Sequence, residues 1–144
     1  DVYEKHQKSV VALMRVPDDD VPKFGICGGH SIGERVHLLD TMMEKPSHQD
    51  APSNLAIVGR YLLNPSIFGY LEGLEPGKAG ELQLTDAMAR MMKVEGFVGY
   101  EFNGHRYDAG DKFGFLQAGI AYGLKRRDIA PKLKAYMREV LERS

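Results

Sequence analysis

Two aspartates flank a pair of small residues in the stretch "HRYDAGDKFG", residues 105–114. Asp111 immediately precedes a helical pattern and is expected to cap that helix, its carboxylate accepting an N–H from the first turn. Asp108 has two open readings. It is a local carboxylate shaping the turn, or a lone oxygen ligand for Mg²⁺, an ion that takes one or two protein carboxylates and fills its shell with water and substrate phosphate. Ala109 and Gly110 would let a ligand come close to the backbone.

A second cluster is "EKP", residues 44–46. Lys45 is a mobile point charge suited to a phosphate, and Glu44 can accept hydrogen bonds from hydroxyl groups. Neighbours on a strand point to opposite faces, so both reach one ligand only where the strand bends or ends, and Pro46 supplies an end. Taken alone, the dipeptide reads more readily as a solvated surface pair. The third cluster, "GELQLTD" at 80–86, has a local account with Gly80 and Glu81 at a helix entry and Thr85 and Asp86 facing outward. Arg60 interrupts the apolar run "NLAIVGRYLL" and needs either a carboxylate partner or a ligand-facing opening. Read together, the clusters point to a phosphorylated, hydroxyl-rich ligand and a divalent cation.

These side chains sit in a chain of 144 residues, long enough for one domain with a real core. Lys plus Arg (19) nearly balance Asp plus Glu (20), for a formal net charge of −1. That balance gives no electrostatic reason to expect nucleic acid or a membrane surface, so phosphate recognition falls to a few placed cations. The single Cys27 excludes an intramolecular disulfide and a multi-cysteine metal cluster, and reads as a small buried hydrophobe. It fits a reducing compartment. No apolar run reaches the roughly 20 residues of a membrane span, and the charged start is no signal peptide. A soluble, cytoplasmic protein is expected.

The elements that must position the clusters follow from periodicity. "SVVALMRV" (9–16) reads as a buried strand and "PDDDVPKF" as a turn. Strands near 24–28 and 35–44 form a hairpin across glycine clusters. "NLAIVGRYLL" is another strand. Asn64 and Pro65 open a helix carrying Ile67, Phe68 and Leu71, and "EPGKAG" breaks it. A further helix carries the core stripe Leu84, Met88, Met91 and Met92 and stops at Gly96. "FVGYEFNGHRY" gives one or two short strands turning at Asn103 and Gly104. A helix with apolar residues at 113, 116, 120 and 124 follows, then a last amphipathic helix with Leu133, Tyr136, Met137, Val140 and Leu141 inward. The class is α/β: a mixed sheet with packed helices and a helical C-terminal segment. A sheet of this kind cut from its central strands is expected to expose an edge that invites pairing with another copy.

In order along the chain, "EKP", "SNLAIVGRYLL", "GELQLTDA" and "RYDAGDKFGFLQA" closely resemble the C-terminal part of the bacterial UTP–glucose-1-phosphate uridylyltransferases, within the wider sugar-nucleotidyltransferase group. The resemblance runs from about Ser9 to the last helix. It implies a partial Rossmann-like nucleotidyltransferase fold, with a sugar-phosphate half over about 1–110 and C-terminal helices over about 111–144. It implies transfer of uridylyl from UTP to glucose 1-phosphate with release of pyrophosphate, Mg²⁺ as cofactor, and a homo-oligomer. By the same resemblance, Glu44 would bind sugar hydroxyls, Lys45 the sugar phosphate and Asp108 the cation. Gly25, Gly59, Arg60 and Tyr61 would line the sugar pocket.

The resemblance also marks departures. The glycine-rich G-x-G-T-R loop and a second metal-binding Asp of such enzymes have no counterpart in this stretch, and Ala109 stands where relatives commonly have Cys. The expectation is a truncated form whose isolated activity is lost. The alternatives are a nucleotidyltransferase for dTTP, ATP or CTP, or a non-catalytic sugar-phosphate-binding or oligomerisation module.

Overall fold

The computed structural model describes residues 1–76 and 80–143. The chain forms two compact units, Asp1–Phe102 and Asn103–Ser144. In the first, a short helix α1 (Val2–His6) leads into strand β1 (Ser9–Arg15), whose alternate residues Ser9, Val11 and Leu13 are buried. The hairpin β2 (Gly25–Gly33) and β3 (Val36–Glu44) follows, then β4 (Leu55–Leu62), α2 (Ile67–Glu72), α3 (Leu84–Glu95) and β5 (Phe97–Glu101).

The strands join in the order β1-β4-β2-β3-β5, and β5 returns to pair with β1 in parallel, so each has two neighbours. The other pairings are antiparallel. The expected open edge is therefore absent among the described strands, because β5 hydrogen-bonds β3 on one side and β1 on the other. The core lies between this closed sheet and α3, where Met88, Met91 and Met92 pack with Val11, Leu13, Leu39, Met42 and Phe97.

Several boundaries differ from the sequence reading. Residues 18–23 form a 3₁₀ turn rather than a plain turn. Strand β2 continues through its glycines to Gly33 as the exposed half of the hairpin. Helix α2 starts at Ile67, since Asn64 and Pro65 spend their carbonyls on the turn before it, accepting from the N–H groups of Ile67 and Phe68. Ile67 is buried but Phe68 is 68% exposed. Helix α3 begins at Leu84 rather than Gly80 and stops at Gly96, whose φ of 73° suits glycine. Part of the "EPGKAG" break, residues 77–79, lies outside the described residues. Cys27 is fully buried, and burial pushes its thiol up to about 12, in keeping with a packing role.

A charged cluster ties three strands. The Glu101 carboxylate accepts from His37 Nε2 at 2.5 Å and from Arg15 Nη2 at 2.9 Å. Burial alone would raise the Glu101 carboxyl, but the hydrogen bonds from His37 and Arg15 and the Arg15 charge outweigh it and hold the group below the ordinary carboxylate range. A carboxyl lowered in the folded state adds stability that is fully present above its unfolded value of about 4.3 and is lost as pH falls through the folded value. Thermal melts from pH 6 to 3 should therefore show a shallower acid loss for Glu101→Gln than for the parent. Identical slopes would remove Glu101 from the acid response.

In the second unit, α4 (Lys112–Lys125) and α5 (Ala130–Arg143) pack on one another, with Leu133 against Gly123, where an added Cβ would lie 2.8 Å from Leu133 Cδ2. Much of the apolar surface expected to face inward is open here. Phe113, Leu116, Tyr136 and Leu141 are each more than half exposed. Two helices alone have too few neighbours to cover both stripes. No helix among the described residues is long and apolar enough to cross a membrane.

Candidate functional site

Glu44 is the last residue of β3 and lies two residues after buried Met42, so the strand period turns it toward α3. There Thr85, in the first turn of α3, donates its hydroxyl to Glu44 Oε2 at 2.6 Å. Thr85 is only 6% exposed, against the expectation that it faces outward. Starting the helix at Leu84 puts Thr85 three and seven residues before Met88 and Met92, on the buried stripe.

Gly25 pairs directly with Glu44 across the hairpin. It is buried, and an added Cβ would lie 3.0 Å from Glu44 Oε2, 3.1 Å from Ile57 Cδ1 and 3.3 Å from Thr85 Oγ1. Any side chain here would press on the carboxylate and its hydroxyl partner. Lys45 comes next with φ of 44°, in the left-handed region that a side-chain-bearing residue seldom adopts. Its N–H donates to the Phe24 carbonyl at 3.0 Å, which fixes the turn. This bend breaks the strand alternation at the required place, and the Lys45 side chain is exposed while Glu44 stays half-buried. A non-glycine residue held in such a conformation beside a candidate site is an observed departure of the kind that accompanies function.

On β4, Tyr61 pairs with Val11 and Ile57 with Leu13, so Val58, Gly59 and Arg60 bulge opposite a single residue, Ala12. Gly59 takes φ of 71° at the bulge. Tyr61 feels the site, since partial burial and then the Glu44 charge push its phenol above the ordinary value. Arg60 Nη1 donates to the Gly59 carbonyl at 3.0 Å, and no carboxylate among the described residues lies within ion-pair distance of it. With Tyr61 it lines a shallow concavity of about 290 Å³ that also includes Tyr3, Val10, Leu62 and Tyr100. The structure thus gathers Gly25, Glu44 and Thr85, with Lys45 adjoining. Gly59, Arg60 and Tyr61 lie on β4, and the concavity that Arg60 and Tyr61 line does not include Glu44 or Lys45. Thr85 is the member that sequence reasoning missed.

Asp108 belongs to the second unit. Its Oδ1 accepts the Gly110 N–H at 3.0 Å and its Oδ2 accepts from Arg106 Nη2 at 3.0 Å. The Gly110 bond first, then Arg106, hold its carboxyl below the usual range, so it is anionic at neutral pH. Each oxygen keeps a lone pair after these bonds. Among the described residues no three His, Cys, Asp or Glu side chains gather as a metal cage. This donor set fits a cation that takes one protein carboxylate and completes its shell from water and phosphate, not a fully protein-bound ion.

Asp111 is the N-cap of α4, its Oδ2 accepting the Gly114 N–H at 2.8 Å. Gly114 is buried, and a Cβ there would run into the Asp108 carbonyl oxygen, so the helix start and the Asp108 turn are built together. Asp111→Ala should cost about 1 kcal/mol of local stability. Amide exchange in the first turn of α4 would report the loss, and unchanged protection would contradict it.

Residues 1–122 match the nucleotidyl transferase family. A UTP–glucose-1-phosphate uridylyltransferase 2 of Streptococcus pyogenes is 46% identical over 138 residues, which cover 95% of this chain and 46% of that protein. The crystal structure of a UDP-glucose pyrophosphorylase complexed with UDP-glucose is 43% identical, with a TM-score of 0.82 over 87% of this chain and 47% of that one. A UTP-bound enzyme of the same name from Acinetobacter baumannii is 32% identical, with a TM-score of 0.83 over 96% of this chain and 47% of that one. The chain spans about half the length of the relatives it matches.

Proposed function

The chain belongs to the nucleotidyl transferase family, and from that premise we propose that it carries the sugar-phosphate half of a site that joins UTP to glucose 1-phosphate, giving UDP-glucose and pyrophosphate. The observation that carries the reading is the Glu44–Lys45 pair at a bend. A half-buried carboxylate, held by Thr85 beside side-chain-free Gly25, adjoins an exposed ammonium on a left-handed residue. One group suits sugar hydroxyls and the other a phosphate.

In the reaction, an oxygen of the sugar phosphate bonds to the α-phosphorus of UTP while the bond from that phosphorus to the pyrophosphate oxygen breaks. The phosphate is already mostly anionic near neutral pH, with a second pKa of about 6, so it needs no strong protein base. What remains is positioning and charge neutralisation. Lys45 neutralises the attacking phosphate. Glu44 orients the sugar through its hydroxyls, Gly25 leaves room for the Glu44 carboxylate and its Thr85 partner, and Gly59, Arg60 and Tyr61 form the outer wall. Enzymes of this family typically use a divalent metal ion. Asp108 is the residue here that would hold one, Mg²⁺, whose chemistry would be neutralising phosphate oxygens.

We also place the protein in the cytoplasm, where its free buried thiol is stable. We infer a homo-oligomer from the exposed apolar residues of α4 and α5. The test of the reaction is pyrophosphate release from glucose 1-phosphate and UTP, dTTP, ATP or CTP in turn, by this chain joined to the nucleotide-binding half that its relatives carry. Preference for UTP is expected there and no turnover by the chain alone, and equal or greater turnover with another nucleotide would replace UTP in the proposal.

A further inference from the structure

We propose that Thr85 is the positioning residue of the sugar site, fixing one oxygen of Glu44 so that the other is presented to ligand hydroxyls. The inference rests on the reading of Glu44 as the sugar-binding group. A threonine hydroxyl has one proton to give, and here it goes to Glu44 Oε2 at 2.6 Å, a short bond to a charged acceptor. Oε1 receives no hydrogen bond among the described residues. The glutamate side chain turns about several bonds, so a carboxylate without this tether would sample orientations that must be given up on binding.

Two neighbours make the tether rigid. Thr85 sits on the buried stripe of α3 with Met88 and Met92, so the helix packing that forms the core also sets the hydroxyl position. On the other side Gly25 leaves only enough space for the two polar groups, with a hypothetical Cβ 3.0 Å from Oε2 and 3.3 Å from Thr85 Oγ1. The buried hydroxyl of this residue is thus aimed at one carboxylate oxygen. Nothing in the core requires a hydroxyl at this position, since valine has the same shape.

Calorimetric titration of the protein with glucose 1-phosphate tests the proposal. Thr85→Val should weaken binding about tenfold, the scale of a hydrogen bond to a charged group, and Thr85→Ser should restore it to within about twofold. In a Glu44→Ala background, which removes the acceptor, adding Thr85→Val should produce no further loss, because Thr85 acts only through the carboxylate. A full additional tenfold loss in that background would overturn the positioning role. If Thr85→Val does not fold, Thr85→Ala against Thr85→Ser carries the test, and equal affinity of those two would overturn it. Binding by the parent with equal affinity in Thr85→Val sinks this inference and leaves the sugar-phosphate reading standing. Absence of binding by the parent sinks both.

Discussion

Replacing Lys45 with alanine is expected to weaken glucose 1-phosphate binding by roughly ten- to a hundredfold, about 1.5–3 kcal/mol for a lost hydrogen bond to a charged group. The side chain is exposed, so the loss should appear in affinity with stability changed by less than about 0.5 kcal/mol. Alanine retains the backbone cost of φ 44° at this position, which keeps the comparison clean. Lys45→Gly removes that cost along with the charge, and should be at least as stable as Lys45→Ala while binding as weakly. Arginine keeps charge but replaces a compact ammonium with a planar fork on a longer stem, so Lys45→Arg should recover only part of the affinity. Equal affinity for parent and Lys45→Ala in calorimetry would take Lys45 out of the site.

The second large effect concerns Asp108. Asparagine can still accept the Gly110 N–H through its side-chain oxygen, so Asp108→Asn preserves the turn while removing the charge. Alanine removes both. If Asp108 holds a divalent cation, Asp108→Asn should lower metal affinity on the order of a hundredfold or more, since even groups behind the ligands are worth ten to a hundredfold. Turnover of the chain joined to the nucleotide-binding half of its relatives should fall with it, while amide protection at the start of α4 stays at the parent level. If Asp108 serves only the turn, Asp108→Asn should match the parent in Mg²⁺-dependent turnover and only Asp108→Ala should loosen α4.

Local chemistry was the part of this molecule most legible from sequence. Asp111 could be assigned as an N-cap because the cap signal is contained within four residues, and the Asp111 Oδ2 to Gly114 N–H bond bears it out. The methionine stripe was equally clear, because Met88, Met91 and Met92 repeat at the helical period and all three are buried. Lys45 needed a strand end, and Pro46 pointed to one, but the device that produces the bend is a left-handed residue that composition does not advertise.

Thr85 shows where local reading ran out. The glycine and glutamate at 80 and 81 read as a helix entry four residues before the observed start at Leu84, which turns Thr85 to solvent. Continuing the methionine spacing backwards from Met92 and Met88 would have placed it inside. That Glu44 waits there depends on a contact between residues 41 positions apart, which no local pattern carries. Strand order was hidden for the same reason. The return of β5 to lie between β1 and β3 is a long-range pairing, and it closes the edge that an open sheet would have left. For Arg60 the sequence allows a carboxylate partner or an open face, and among the described residues its guanidinium donates to the Gly59 carbonyl and meets no carboxylate.

The most direct test of the central claim is calorimetric titration of the protein with glucose 1-phosphate, compared with glucose and with inorganic phosphate under the same conditions. If Glu44 and Lys45 act on the two ends of one ligand, glucose 1-phosphate will bind saturably and more tightly than either part alone. Absence of binding, or an affinity no greater than that for inorganic phosphate, would contradict a sugar-phosphate site at the Glu44–Lys45 bend.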